Sequence, residues 1–244
     1  MEQPILGIAF TLAAYVVGSV VFFKFSRKRG FSSRETRWIL AAGLCGGILG
    51  AKFSRMLISL SAGATPESIF AHPDGRTIIG GILFGWMAVE FAKAKLKVNR
   101  STGDAFALAL SVGEAIGRIG CFFNGCCYGS TSTIFCAVYQ AGAWRHPAQL
   151  YSAAVALGIF LLLCYLRTRV TFEGDLFRIY LLCFGIARFF LEFVRERTSI
   201  HFGLSIAQWV SLEIAGSMLI AMLWVHRSQK QIEGAVKANE QRTL

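Results

Sequence analysis

The segment G-R-I-G-C-F-F-N-G-C-C-Y-G, residues 117–129, gathers a charge, an amide and thiols at the end of a long apolar run. Arg118 closes that run, Asn124 follows it, and three cysteines lie within ten residues of the arginine: Cys121, Cys126 and Cys127. Glycines on both sides favour a helix end that folds into a tight loop, because glycine adopts backbone angles that other residues avoid. Polar groups are costly to gather beside apolar ones, so we interpret this segment as the functional site.

The composition around this segment is that of a polytopic membrane protein. The chain has 244 residues, 55% hydrophobic and 16% charged, and its mean hydropathy is +0.53. Several apolar runs reach the ~20 residues that a helix needs to cross a bilayer. The net charge of +11 would indicate nucleic-acid binding in a soluble protein, but here we expect it to set the membrane topology, and we predict no nucleic-acid partner.

Seven spans are predicted, which makes the fold all-α. In chain order they are about Pro4–Phe23, Trp38–Leu60, Thr77–Ala92, Gly103–Gly120, Pro147–Leu166, Asp175–Val194 and Phe202–Val225. The first lacks a basic start and a clear cleavage site, so we interpret it as a span rather than a signal peptide. The second has glycines at 43, 46, 47 and 50, a face that lets helices approach closely. We predict one transmembrane domain over residues 1–226 and a cytoplasmic tail over residues 227–244.

Basic residues concentrate in alternate loops. Residues 24–37, 93–100, 167–178 and 227–244 carry 6, 4, 3 and 4 Lys or Arg, which is 17 of the 25 in the chain. The positive-inside rule places these segments in the cytoplasm and, with seven spans, the N-terminus outside. The cysteine segment, the start of the fifth span and the end of the sixth then share the outer side. We expect a bacterial inner membrane with the site facing the periplasm.

Eight ionisable residues lie within the predicted spans: Lys52, Arg55, Glu90, Glu114, Arg118, Arg188, Glu192 and Glu213. A charged side chain is costly in hydrocarbon, about 2.5–3.5 kcal/mol for an Arg, Lys or Asp at the bilayer centre, so these residues should face one another or a watery cavity. Arg118 follows Glu114 by four residues and Glu192 follows Arg188 by four, so each pair shares a helix face. We interpret Glu114 and Glu213 as structural partners, and Arg118, Arg188 and Glu192 as functional.

Arg195 continues the helix face of Arg188 and Glu192. Three arginines on the outer side of two helices suit a phosphate, because the guanidinium fork matches phosphate oxygens in a bidentate manner. A phosphate in a membrane cavity indicates a phospholipid.

The seven cysteines divide into two groups. Three lie within spans and are interpreted as packing residues: Cys45, Cys164 and Cys183. The outward-facing group comprises Cys121, Cys126, Cys127 and Cys136. For that group a disulfide ranks first, a thiolate activated by the nearby Arg118 second, and a metal third, because Cys-x4-Cys-Cys lacks the usual zinc spacing. No metal and no cofactor is predicted.

The segment W-R-H-P-A-Q-L-Y, residues 144–151, places His146 at the outer mouth of the fifth span. A lone interfacial histidine could simply cap the helix. Beside Arg145, Gln149 and Tyr151 it could instead bind a headgroup or shuttle a proton.

Four motifs in order resemble the phosphatidylglycerol–prolipoprotein diacylglyceryl transferase family. They are G-R-I-G at 117–120 with Asn124, Gly125 and Gly129, then H-P-A-Q-L-Y at 146–151, F-G-I-A-R-F-F-L-E-F-V-R at 184–195 and A-Q-W-V-S-L at 207–212, with a fainter G-A-K at 50–52. The resemblance implies seven spans with the N-terminus outside. It also implies transfer of the diacylglyceryl group of phosphatidylglycerol to the thiol of a prolipoprotein, or of another thiol acceptor, in the bilayer.

The resemblance also implies roles for individual residues. Arginines would hold the phosphate and its developing charge, while Glu192 would position Arg188 or take a proton. The predicted catalytic residues are Arg118, Arg188, Glu192, Cys121 and His146. The predicted substrate-binding residues are Asn124, Arg195, Gln149, Lys52, Gly80 and Gly81.

The chain departs from the family's typical signature at three positions. Cys121 stands in place of an asparagine, Cys126 in place of an acidic residue, and Ile79 in place of the histidine before the double glycine. The residues expected to bind the phosphate headgroup are therefore kept. The part of the site expected to take the thiol acceptor loses a basic histidine and gains two cysteines. Two alternatives stay open: a membrane thiol oxidoreductase or thiol-modifying protein that uses the cysteines, and a non-catalytic lipid-binding or transport module.

Overall fold

The computed structural model describes residues 3–61, 78–170, 172–195 and 200–242. Seven α-helices lie in these ranges: α1 Pro4–Lys28, α2 Ser33–Ser61, α3 Ile78–Leu96, α4 Gly103–Phe123, α5 Ala148–Leu166, α6 Asp175–Leu191 and α7 Ile206–Arg242. A 3-10 turn, Glu192–Val194, extends α6. Two antiparallel hairpins complete the described part: β1 Val138–Gln140 with β2 Ala143–Arg145, and β3 Ile200–His201 with β4 Leu204–Ser205.

Four of these helices are long and apolar enough to cross a membrane: α1, α4, α5 and the Ile206–Ser228 part of α7. The other three are less apolar or shorter. Lys52 and Arg55 interrupt the apolar run of α2, charged residues occupy the second half of α3, and α6 has 17 residues. The protein is therefore a mostly helical, multi-pass membrane protein, and the count of seven spans stays a prediction.

Two helices begin at capping boxes rather than where the apolar runs suggest. α2 begins at Ser33 because Glu35 N–H donates to Ser32 Oγ at 3.2 Å and Ser32 N–H donates to Glu35 Oε2 at 2.7 Å. The same reciprocal pair, Ser205 with Gln208, begins α7 at Ile206. The predicted start of the seventh span at Phe202 was therefore wrong, since Phe202 lies in the turn of the β3–β4 hairpin.

The chain divides into two compact units, Phe22–Arg100 and the combination of Met1–Val21 with Ser101–Leu244. In the first, α2 and α3 pack through small residues: a Cβ on Gly46 would lie 2.5 Å from the Ala88 Cβ, and one on Gly50 would overlap the Phe84 side chain. The predicted close-approach face of the second helix is confirmed.

The second unit contains the four motifs at 117–129, 146–151, 184–195 and 207–212. The start of α1 packs along the end of α4, where Gln3 N–H donates to Phe123 O at 2.9 Å. At the opposite end of α4, the Asp104 carboxylate accepts the N–H groups of Gly174 and Phe177 at 3.1 and 3.3 Å. α6 and α7 meet at Gly185, where a Cβ would lie 2.8 Å from Ser211 O. These contacts belong to one compact unit, which contains the ends of α4 and α6 and the start of α5.

Candidate active site

A small cavity of about 20 Å³ lies between α4, α5 and α6. Arg118 and Glu114 line it from α4, Arg188 and Phe184 from α6, and Ser152 from α5. The two arginines that the sequence places on different helices therefore meet at one cavity, as predicted.

Arg118 is held by a carboxylate one helical turn earlier. Its Nη2 and Nε lie 3.1 and 3.3 Å from Glu114 Oε1, and both side chains are largely buried. The spacing predicted this pair, and the structure confirms it. The carboxylate fixes the orientation of the guanidinium while partly balancing its charge.

Arg188 is also held by a carboxylate, but here the carboxylate lies one helical turn after the arginine. Its Nη1 lies 2.5 Å from Glu192 Oε2, and the Glu192 side chain also accepts a hydrogen bond of 3.2 Å from Ser205 Oγ. Gln208 ties this region to α6 by donating to Phe189 O at 3.3 Å. Glu192 is buried, so it is fixed between α6 and α7 and confirms the second predicted pair.

Arg195 brings a third positive charge to the same region. Its backbone is extended after the 3-10 turn and forms a bridge with Gly129, while Ser130 N–H donates to Val194 O at 3.0 Å. Arg195 and Arg118 both interact electrostatically with Arg188. Three arginines with two carboxylates leave an excess of positive charge, which is suited to an anion.

Gly129 permits this arrangement because there is no room for a side chain. A Cβ at this position would lie 2.5 Å from Val194 O and 2.6 Å from the His146 Cβ. The glycine therefore lets the cysteine segment run directly between Arg195 and the start of α5.

The cysteine loop turns back on itself after α4. Gly125 and Cys127 have positive φ angles of 64° and 59°, and Cys126 N–H donates to Cys121 O at 3.2 Å. As a result the sulfur atoms of Cys121, Cys126 and Cys127 lie within 4.8 Å of one another. All three are free thiols in the structure, so the disulfide stays a prediction.

Hydrogen bonding within the loop shifts the pKa values of Cys126 and Cys127 in opposite directions. Hydrogen bonds from the Cys121 and Cys126 thiols lower the pKa of Cys127, and the positive charges of Arg195 and Arg118 act in the same direction. The hydrogen bond between the Cys126 and Cys121 thiols raises the pKa of Cys126. Cys121 is the cysteine predicted to be catalytic, whereas the neighbouring thiols and arginines favour the thiolate form of Cys127.

Gln149, in the first turn of α5, hydrogen-bonds to the cysteine loop. It is buried at the start of α5, and its Nε2 donates to Cys126 O at 2.8 Å and to Gln140 Oε1 at 3.0 Å. The structure places Gln149 beside the cysteines rather than beside the arginine cavity. Its predicted contact with substrate stays a prediction.

His146 does not cap α5, so that alternative was wrong: the helix has no side-chain cap. Its backbone pairs with Gly129 and Ser130, and its ring packs edge-on against Tyr151 at 6.2 Å. Its buried Nδ1 has no hydrogen-bond partner among the described residues. The headgroup or proton role of His146 stays a prediction.

The remaining predicted contacts lie elsewhere. Asn124 ends α4 through its backbone N–H, and its side chain packs where a Cβ on Gly7 would lie. Lys52 is exposed on α2, while Gly80 and Gly81 pack against α2. These last three belong to the Phe22–Arg100 unit and are described within it alone.

Sequence reasoning missed Ser205 and Gln140. Ser205 contacts Glu192 directly, and Gln140 accepts from Gln149 while donating to Phe122 O at 3.3 Å. The S-x-x-Q pattern at 205–208 was a usable signal for Ser205, since it is a capping box. No local pattern indicates Gln140, because its role depends on the β1–β2 hairpin.

Comparisons with known proteins agree with the motifs. A family model described as prolipoprotein diacylglyceryl transferase matches residues 5–225. A phosphatidylglycerol–prolipoprotein diacylglyceryl transferase of Finegoldia magna is 31% identical over 242 residues, covering 96% of this chain and 93% of the relative. One of Clostridium tetani is 27% identical over 220 residues, covering 85% and 88%. A Clostridium perfringens protein with the same name, numbered 2, is 28% identical over 233 residues, covering 86% and 90%. The chain belongs to the prolipoprotein diacylglyceryl transferase family.

Proposed function

We propose that this protein is a membrane transferase that moves the diacylglyceryl group of phosphatidylglycerol to the cysteine thiol of a prolipoprotein. The names of its relatives support this donor and this acceptor. The observation that carries the proposal is that Arg118 and Arg188 line one cavity between apolar helices, with Arg195 near enough to act electrostatically on Arg188. Such a cluster fits the single phosphate of a phospholipid whose acyl chains stay in the membrane.

The chemistry is a substitution at the glyceryl carbon that carries the phosphate oxygen. The acceptor sulfur forms a bond to that carbon, the carbon–oxygen bond breaks, and the electron pair stays on the oxygen of the departing glycerol phosphate. The thiol proton leaves to water or to the product phosphate. Arginines already fixed in place stabilise the charge that develops on the leaving group without having to reorganise.

Two carboxylates keep those arginines in place. Glu114 holds Arg118 on α4, and Glu192 holds Arg188 on α6 with support from Ser205. Each carboxylate is a positioning residue, because it contacts an arginine and not the reacting atoms. Removing one should therefore lower turnover less than removing the arginine it holds.

The same proposal includes the topology. Seven spans in a bacterial inner membrane, with the N-terminus outside, residues 227–244 in the cytoplasm and the site facing the periplasm, are supported by the alternation of basic loops. The grouping of the ends of α4 and α6 with the start of α5 also supports it, because antiparallel neighbours bring these ends to one side.

The experiment is a transfer assay with purified protein in lipid nanodiscs. A lipobox peptide should gain one diacylglyceryl group from phosphatidylglycerol, detected by mass spectrometry, whereas the peptide with Ser in place of Cys should gain none. Transfer to the Ser peptide, or no transfer to the Cys peptide by protein whose fold is intact, would overturn the proposed function.

A further inference from the structure

We propose that Cys121, Cys126 and Cys127 form a three-thiolate site for Zn²⁺ and that its open fourth position binds the acceptor thiol. The second half of this statement rests on the proposed function, and the first does not. The three sulfur atoms lie within 4.8 Å of one another. Sulfur atoms bound to one tetrahedral zinc at about 2.3 Å lie about 3.8 Å apart, so small side-chain rotations would suffice.

The backbone, rather than the sequence spacing, creates this convergence. Neighbouring cysteines in an extended chain point to opposite sides, but Cys127 has a left-handed backbone with φ of 59°. That conformation is unfavourable for a residue other than glycine, so the surrounding structure must enforce it. Gln149 does so from outside the cluster by binding Cys126 O.

The number and exposure of the ligands favour a site with an open position. Structural zinc sites are closed by four protein ligands, whereas catalytic sites have three and leave one position for water or substrate. Among the described residues, no fourth His, Cys, Asp or Glu joins the three cysteines. Cys126 and Cys127 are exposed, so a second thiol could reach the metal.

The charge balance of the site is also suitable. Three thiolates around Zn²⁺ carry a net charge of −1, and a fourth thiolate makes it −2. Arg195 and Arg118 lie close enough to act electrostatically on Cys127. The same arginines are proposed to hold the donor phosphate, so an acceptor thiol on the metal would lie next to the bond that must break.

Binding to zinc would activate the acceptor thiol as a nucleophile. A thiol bound to zinc is deprotonated, with its proton released to water, and its sulfur remains a nucleophile. The sulfur then forms the bond to the glyceryl carbon as the carbon–oxygen bond breaks toward the phosphate.

The first test measures metal binding by full-length protein in detergent. Purified protein should contain about one Zn²⁺ per chain, and Co²⁺ in its place should give a thiolate-to-cobalt charge-transfer band. Cys121→Ser, Cys126→Ser and Cys127→Ser should each weaken zinc binding at least about tenfold. Cys136→Ser is the matched control and should bind zinc as the wild type does, because Cys136 instead contacts Tyr151. Wild-type protein without metal, or one isolated with a disulfide within the cluster, would overturn the site.

The second test asks whether the acceptor reaches the metal. A lipobox peptide should strengthen the charge-transfer band of the cobalt protein, because it adds a fourth thiolate, whereas the peptide with Ser in place of Cys should not. Equal spectra with both peptides would overturn the acceptor role. If both metal tests succeed but no lipid is transferred from phosphatidylglycerol, the proposed function fails while the metal site stands.

Discussion

The arginine pairs and the cysteine loop are neighbours in one unit, yet they are built in opposite ways. Arg118 and Arg188 lie on helices, each beside a carboxylate one turn away, and both pairs are largely buried. The cysteines lie on a tight turn with positive φ angles, and two of the three are exposed. A rigid electrostatic half suits a phosphate whose position must not vary. An exposed half suits an acceptor that must enter from outside.

Removing an arginine should have the largest effect. Arg118→Ala and Arg188→Ala should each lower turnover by about 10²–10³-fold, as expected when a fixed charge at a developing anion is lost. Lys should restore little, because it lacks the bidentate fork. Initial rates of peptide lipidation in nanodiscs measure this, with Arg167→Ala as the control because Arg167 is exposed at the other end of α5. Unchanged turnover in Arg118→Ala would remove its phosphate role.

Changing the carboxylate should have an intermediate effect. Glu192→Gln keeps the shape of the side chain but removes the charge beside Arg188, and we expect a loss of turnover of about tenfold, or 1.4 kcal/mol. Ser205→Ala leaves the charge in place and removes the hydrogen bond to Glu192 together with the cap of α7. Only the first of these bonds, worth about 1 kcal/mol, acts on the ion pair, so the loss of turnover should be smaller. If Ser205→Ala were as damaging as Glu192→Gln, the ion pair would not be what positions Arg188.

Loosening the cysteine loop should have the smallest effect on the arginine half. Gln149→Leu removes the donor to Cys126 O and to Gln140 Oε1 and should cost about 1 kcal/mol of stability, because two partly buried acceptors lose their donor. We expect faster alkylation of Cys126 and Cys127 with only a few-fold change in product inhibition by glycerol phosphate. Gln231→Leu, at an exposed position on α7, should change neither. A large loss of glycerol phosphate inhibition in Gln149→Leu would show that the two halves are not separable.

The same contrast explains what the sequence could predict. Arg118 with Glu114 and Arg188 with Glu192 were predicted because a helix makes residues four apart neighbours, whatever the rest of the fold does. The approach of α2 to α3 through glycines followed for the same kind of reason. The convergence of the cysteines could not be predicted, because it depends on one left-handed residue, Cys127, and on a distant partner, Gln149. The start of α7 was missed because the apolar run of the sequence begins within the β3–β4 hairpin. Only the capping box of Ser205 and Gln208 marks where the hairpin ends and the helix begins.

A double-mutant cycle on Arg118 and Arg188 tests the central claim most directly. If both guanidinium groups hold one phosphate in the transition state, the first Ala substitution removes most of what the second could remove. The Arg118→Ala/Arg188→Ala variant should then turn over about as slowly as the slower single variant. Turnover losses that multiply in the double variant would mean that the two arginines act at separate places, and would contradict the shared phosphate site.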